Sequence, residues 1–241
     1  MASLAHRRQW AWYVSALGYR WSDTSVARSA DADVFRFLDE RLLGARVLDC
    51  GCGPGISSER LVARGASYVL AVDANPSMVR QARAHLRHRI AAGSADVERG
   101  FVDAAFFGAL GRTFDLVFFK RSLYARRAAT VSAVRAALAA VEPHGMVVVV
   151  HPVRSLLQYA FGTPARLRPH TAFHILNRAI SLVAARLGIS EYRAYSKGEL
   201  WRLLSEAADD GSVQEVPTTQ QAYAIMAITA CDQVCSGRRA S

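Results

Sequence analysis

The sequence contains few cysteines and no long hydrophobic run. Its four cysteines form two pairs, Cys50 with Cys52 and Cys231 with Cys235, and neither has a histidine or cysteine set at zinc-ligand spacing. We therefore predict packing roles for Cys50 and Cys52, no zinc site at Cys231 and Cys235, and a reducing, cytoplasmic location. No apolar stretch approaches the length of a transmembrane helix, so the sequence predicts no membrane span.

Acidic residues are scarce relative to basic ones. Thirty lysines and arginines face 20 aspartates and glutamates, which gives a formal net charge of +10. A strongly basic chain suggests a nucleic-acid partner. Only Lys120 and Lys197 are lysines, however, and the arginines are scattered along an alanine-rich chain. We interpret the charge mainly as a solvated basic surface and keep nucleic acid as an alternative partner.

The most informative stretch is RVLDCGCGPG, residues 46–55. Its first residues predict a buried strand, its three glycines a tight turn, and the following Ile56–Ala63 a helix. A second strand, Tyr68–Asp73, ends in an acid placed to accept hydrogen bonds from a ribose. Strand, glycine turn, helix and second strand are typical of a nucleotide-type site at the mouth of a doubly wound sheet.

The spacing of the glycines disfavours a dinucleotide. Such sites have the third glycine three positions after the second, whereas Gly55 follows Gly53 by two. Pro54 offers no N–H to a phosphate, and Asp49 would repel one. An acid at this position is suited instead to a cationic ligand.

Residues 47–55 resemble the first motif of the class I S-adenosylmethionine-dependent methyltransferases, V-L-D-x-G-C-G-x-G. The resemblance implies S-adenosylmethionine as cofactor and S-adenosylhomocysteine as product. It places the methionine part at Asp49 and the glycine turn, the ribose at Asp73, and the adenine at Asp103 and Ala104, with Asp96 as the rival acid. The predicted cofactor-binding residues are Asp49, Gly51, Cys52, Gly53, Gly55, Asp73, Ala74, Met78, Asp103, Ala104 and Lys120.

The alternation of apolar strands and amphipathic helices predicts an α/β fold with a parallel sheet. With the resemblance, we expect a doubly wound, seven-stranded, mostly parallel sheet with an antiparallel last strand, N-terminal helices and a helical cap inserted after strand five. Strand three is predicted at 97–102, strand four at 114–119 and strand five at 146–152. The predicted segments are a helical lid (1–43), a Rossmann-like core (44–152), a cap (153–195), the end of the core (196–230) and a disordered tail (231–241).

The methyl acceptor is less well defined by the sequence. After strand four the chain reads Lys120-Arg-Ser-Leu rather than D-P-P-Y or N-P-P-Y, which disfavours the exocyclic-amine methylases. We expect a small, aromatic or lipophilic acceptor methylated on oxygen, nitrogen or carbon. The alternatives are an RNA methyltransferase and a non-enzymatic cofactor binder. Candidate bases are His151 and Tyr124; candidate substrate-binding residues are Tyr13, Tyr19, Trp21, Tyr124, His151 and His174.

Overall fold

The computed structural model describes residues 25–123, 127–153, 183, 195–209, 212–219 and 223–230. The strands of this part of the chain are β1 Arg46–Cys50, β2 Tyr68–Asp73, β3 Ala95–Arg99, β4 Phe114–Lys120, β5 Val141–Pro152, β6 Val213–Val216 and β7 Tyr223–Thr229. Its helices are α1 Ser25–Leu42, α2 Ile56–Ala63, α3 Pro76–His85, α4 Arg87–Ala91, α5 Ala104–Ala109, α6 Arg127–Ala139 and α7 Lys197–Ala208.

The strands form one sheet in the order β3-β2-β1-β4-β5-β7-β6. The pairs from β3 to β5 are parallel, and β7 runs antiparallel to both of its neighbours. Six strands therefore share one direction and the last one in the chain opposes them. The predicted seven-stranded α/β sheet is confirmed.

Both faces of the central strands are buried, which explains their continuous apolar sequences. Alternate residues of β4 contribute to two separate clusters: Val117 and Phe119 pack with α6 and α7, whereas Leu116 and Phe118 pack with α1 and α2. In α1 the apolar stripe that makes this contact is Val34, Phe35, Leu38 and Leu42, each at most 2% exposed. Such burial stabilises the fold by roughly 1.5–3 kcal/mol per large side chain.

Two strand predictions were wrong at their ends. β3 lies at Ala95–Arg99 rather than at 97–102, because the chain turns after it. The Gly100 N–H donates to the Asp73 carbonyl, and Asp103 already caps α5. β5 begins at Val141, five residues before the predicted 146, because Val141 pairs with Phe114 ahead of a register shift.

Several predicted segments lie outside the described residues: residues 1–24 of the lid, most of the 153–195 cap and the tail. The described part of the predicted lid contains helix α1. No helix of the described residues is long and apolar enough to cross a membrane.

Candidate cofactor site

Parallel pairing brings the predicted cofactor residues to one edge of the sheet. Cys50, the last residue of β1, is in register with Val72 of β2 and with Phe119 of β4. The segments that follow these strands, the glycine turn at 51–55, the residues after Asp73 and the residues around Lys120, therefore emerge side by side. This carboxyl edge is where open α/β sheets bind ligands.

Neighbouring backbone holds the glycine turn in place. The N–H groups of Gly51 and Cys52 both donate to the Val72 carbonyl, at 2.7 and 3.0 Å. A Cβ on Gly51 would lie 2.4 Å from the Cβ of Ser122, in the loop after β4. A Cβ on Gly55 would lie 3.2 Å from the Ala82 Cα. Packing therefore requires these glycines in addition to the ligand contact inferred from the sequence.

We expect Gly51→Ala to lower the free energy of unfolding by about 2–4 kcal/mol, because it combines a left-handed backbone with overpacking against Ser122. Gly44→Ala is the matched control. Gly44 has φ +74° against +76° for Gly51, but nothing lies within 4 Å of its added Cβ. The control should lose only about 1 kcal/mol. Urea denaturation measures both, and equal losses would show that the contact with Ser122 is unimportant.

The Asp73 carboxylate joins the turn to the end of β2. Its Oδ2 accepts a hydrogen bond from the Gly53 N–H at 2.9 Å, and its Oδ1 accepts one from the Asn75 N–H at 2.8 Å. Burial raises the pKa of Asp73, and these backbone donors oppose the rise. The sequence predicted only a ribose contact for Asp73. The spacing Asp73-x-Asn75, in which an aspartate bonds the N–H two residues on, is the signal that was missed.

Asp49 is a buried carboxylate beneath the turn. Asp49 is 1% exposed. Its Oδ2 accepts a 2.6 Å hydrogen bond from the Ser58 hydroxyl. Burial raises the pKa of Asp49 to about 6, and nearby Asp73 adds to the rise, whereas Ser58 and the positive charge of Lys120 oppose it. The site thus holds a negative charge that is incompletely compensated within the protein.

Lys120 is paired inside the protein. Its Nζ lies 2.6 Å from the Asp31 Oδ1 and donates a 3.1 Å hydrogen bond to the Ser57 hydroxyl. The other oxygen of Asp31 accepts from Arg60 at 2.6 Å. Burial lowers the pKa of Lys120, against the attraction of Asp31. Asp31 was not predicted from the sequence, although it precedes Val34 and Phe35 at helical spacing and so belongs to the buried stripe of α1.

On the predicted adenine side, Asp103 caps α5. Its Oδ1 accepts a 3.0 Å hydrogen bond from the Phe106 N–H, and Ala104 is the first residue of the helix. Its rival, Asp96, is an exposed residue within β3. Cys52 and Met78 are buried, at 4% and 6% exposure. Burial raises the pKa of the Cys52 thiol, which suits packing beneath the turn.

On the acceptor side only His151 lies in the described structure. It is buried in β5, and its Nε2 accepts a 3.4 Å hydrogen bond from the Tyr195 N–H. Its role as a base stays a prediction. The predicted residues Tyr13, Tyr19, Trp21, Tyr124 and His174 lie outside the described residues. Within the described ranges no group of three or more histidine, cysteine or acidic side chains is arranged to hold a metal ion.

The sequence of the core matches a known protein family. Residues 47–145, from β1 into β5, match the family described as a methyltransferase domain. This segment is a class I S-adenosylmethionine-dependent methyltransferase domain. The family and the cofactor predicted from residues 47–55 are thereby confirmed for this segment, as is the enzyme class at the level of the domain.

Similar proteins agree with this assignment. A ubiquinone biosynthesis O-methyltransferase of Xylella fastidiosa (strain 9a5c) is 52% identical over 44 residues. The match spans only 18% of this chain and 18% of that relative. It supports the methyltransferase motif and leaves the acceptor of this chain open.

Two solved structures are similar in fold, and their matches cover more of this chain than the sequence relative does. The N-methyltransferase NodS from Bradyrhizobium japonicum WM9, bound to S-adenosylhomocysteine, is 13% identical with a TM-score of 0.60, covering 89% of this chain and 92% of its own. The magnesium protoporphyrin IX methyltransferase of Synechocystis PCC 6803, also with S-adenosylhomocysteine, is 15% identical with a TM-score of 0.53, covering 84% and 82%. At these identities the likeness concerns the fold.

Proposed function

We propose that this protein transfers a methyl group from S-adenosylmethionine to an oxygen, nitrogen or carbon nucleophile of a small, aromatic or lipophilic metabolite. The observation that carries the proposal is the buried carboxylate of Asp49 under a glycine turn at the carboxyl edge of the sheet. Burying an anion is unfavourable unless a partner compensates it. A cationic cofactor bound above the turn is such a partner.

The residues at this edge fit the parts of S-adenosylmethionine. In the proposal, Asp49 and the glycine turn hold the methionine end. Asp73 accepts hydrogen bonds from the ribose through lone pairs beyond those that bond Gly53 and Asn75. Asp103 and Ala104 define the adenine side, together with Met78 of α3.

The bound cofactor supplies a methyl group activated by its positive sulfur. The protein aligns the acceptor nucleophile opposite the carbon–sulfur bond and excludes water. Held by Asp49, the glycine turn and Asp73, the cofactor would supply this methyl group to the acceptor nucleophile, the carbon–sulfur bond would break with its electron pair kept by sulfur, and S-adenosylhomocysteine would be the product. A proton on the acceptor passes to a base, for which His151 and Tyr124 are the proposed groups, or to water.

A small-molecule acceptor is supported by two observations. The curated relatives are named for O-methylation in ubiquinone biosynthesis. The residues after β4, Lys120-Arg-Ser-Leu, lack the motif of the exocyclic-amine methylases. A cytoplasmic location, a monomeric or homodimeric state and the aromatic acceptor pocket of Tyr13, Tyr19 and Trp21 belong to the same proposal.

The test is release of S-adenosylhomocysteine from S-adenosylmethionine with phenols, catechols, hydroxyquinones and aromatic amines, each assayed against total RNA. We expect turnover with at least one small aromatic compound and none with RNA. Asp49→Asn is the control that should reduce turnover with every acceptor. Turnover with RNA alone, accompanied by binding that weakens steeply with salt, would establish the RNA methyltransferase instead.

A further inference from the structure

A buried network of charged and hydroxyl side chains connects α1 to the cofactor site. Asp31 of α1 contacts Lys120 at the end of β4, and Lys120 donates to Ser57 of α2. The next residue, Ser58, donates to Asp49 at 2.6 Å. Both ends are almost fully buried, with Asp31 at 7% and Asp49 at 1% exposure.

We propose that Asp31 is a positioning residue: through Lys120 it joins helix α1 to the carboxylate of Asp49, so that the docking of α1 and the binding of S-adenosylmethionine are coupled. This inference rests on the cofactor role proposed for Asp49. Asp31 itself contacts the network and has no assigned contact with the cofactor.

Two acids, Asp31 and Asp49, compete for the positive charge of Lys120. Lys120 attracts both Asp31 and Asp49, but its direct ion pair is with Asp31, at 2.6 Å. Asp31 therefore draws the ammonium group away from Asp49 and leaves that carboxylate available to an external cation. Without the charge of Asp31, the attraction of Lys120 falls on Asp49 and competes with the cofactor.

Other groups around the pair also carry charge. The negative charge of Asp73 in β2 raises the pKa of Asp49, and the hydrogen bond from Ser58 in α2 lowers it. Asp49 in turn raises the pKa of the Cys50 and Cys52 thiols. The positive charge of Arg121 lowers the pKa of Lys120. Asp31 also accepts a hydrogen bond from Arg60. These groups stay unchanged in the variants below: Asp73, Ser58, Cys50, Cys52, Arg121 and Arg60.

The helix offers a matched control on the same buried side. Asp33 also fixes α1, but its Oδ2 accepts hydrogen bonds from Thr218 and Thr219, at 3.0 Å from the Thr218 hydroxyl and 2.7 Å from the Thr219 N–H. It is 4% exposed. Asp33→Asn thus weakens an anchor of α1 whose contacts, within the described residues, are with Thr218, Thr219 and Arg36 rather than with Lys120. A purely structural role of Asp31 predicts that both substitutions act alike.

The experiment is calorimetric titration of the full chain with S-adenosylmethionine between pH 5 and 8.5. The wild type should bind more weakly as Asp49 takes up a proton, with a midpoint near the pKa of about 6. Asp31→Asn should weaken binding about fivefold at pH 8 and move the midpoint to lower pH. Asp31→Glu, which keeps the charge, and Asp33→Asn should leave the midpoint in place.

The variant Lys120→Met provides a second, independent test of the coupling through the pH midpoint of binding. Removing the ammonium group should move the midpoint to higher pH, because its attraction keeps Asp49 ionised. If Asp31 acts through Lys120, the double variant Asp31→Asn/Lys120→Met has the midpoint of Lys120→Met alone. This comparison also serves if Asp31→Asn does not fold.

Different results overturn the proposed function and the coupling of α1 to cofactor binding. A folded wild type that does not bind S-adenosylmethionine at pH 8 overturns the proposed function. A wild type that binds, with an unchanged midpoint in Asp31→Asn or a double variant that differs from Lys120→Met, overturns the coupling alone. An equal midpoint shift in Asp33→Asn overturns it as well.

Discussion

Asp73→Ala is expected to weaken S-adenosylmethionine binding about 100-fold and to destabilise the protein at the same time. The Asp73 carboxylate accepts from the N–H groups of Gly53 and Asn75, so alanine leaves two half-buried donors without their acceptor. Each unmade bond costs about 1–3 kcal/mol, so the free energy of unfolding should fall by roughly 2–4 kcal/mol. Binding suffers further from the loss of the proposed ribose acceptor. Calorimetry and urea denaturation measure the two effects.

The matched control for Asp73 is Asp115→Ala. Asp115 accepts a 2.7 Å hydrogen bond from the Arg46 N–H at the opposite end of β1. Its loss should lower stability by about 1 kcal/mol and leave cofactor affinity unchanged. An Asp73→Ala protein that binds S-adenosylmethionine normally would refute the ribose assignment, and one that is as stable as the wild type would refute the bracing of the turn.

Asp49→Asn should stabilise the protein without ligand and weaken its binding to S-adenosylmethionine. Burial raises the pKa of Asp49 from 3.8 to about 6. The folded state therefore holds the ionised carboxylate unfavourably, by about 3 kcal/mol at pH 8. Asparagine removes that charge, and its carbonyl oxygen can still accept from Ser58. A gain of about 1–3 kcal/mol in the free energy of unfolding follows.

The sign of the pH dependence distinguishes this account from a general packing effect. Between pH 3.8 and about 6 the folded state binds more protons at Asp49 than the unfolded state does. Wild-type stability therefore falls as pH rises through this window because of this group. The stability difference between Asp49→Asn and wild type should be largest at pH 8 and fall to about a third of that value near pH 4.5. A difference that does not vary with pH would contradict the buried charge.

The two forms of the cofactor test the same residue through binding. S-adenosylmethionine carries a positive sulfur that S-adenosylhomocysteine lacks. Loss of the Asp49 charge should weaken the methyl donor about tenfold or more, since interactions with a charged group contribute about 1.5–3 kcal/mol. The product should be affected less. Equal losses for both ligands would place Asp49 away from the sulfonium.

Patterns that depend on neighbouring residues could be predicted from the sequence. β2 and α2 begin and end at the predicted residues, Tyr68–Asp73 and Ile56–Ala63, because apolar runs and turn residues bound them clearly. β3 could not be placed as well. Its segment, ADVERGFVDAA, alternates beyond Arg99, and only the bond from Gly100 to Asp73 and the cap by Asp103 end the strand.

In the candidate site, too, local motifs could be predicted from the sequence and contacts between distant residues could not. Asp49, the glycines and Asp73 belong to one local motif, and the sequence identified them. The partner of Lys120 could not be read in this way, because Asp31 lies in a helix 89 positions earlier and only the folded sheet brings the two together. The contact between Gly51 and Ser122 likewise joins loops that follow different strands.

The most direct test of the central claim is calorimetric titration of the wild-type protein with S-adenosylmethionine at pH 8, repeated at pH 5. The buried anion of Asp49, with its pKa of about 6, predicts micromolar binding at pH 8 that weakens about tenfold at pH 5. S-adenosylhomocysteine, without the positive sulfur, should show a smaller change. No binding of either ligand by the folded protein would contradict the claim that this edge of the sheet is a cofactor site.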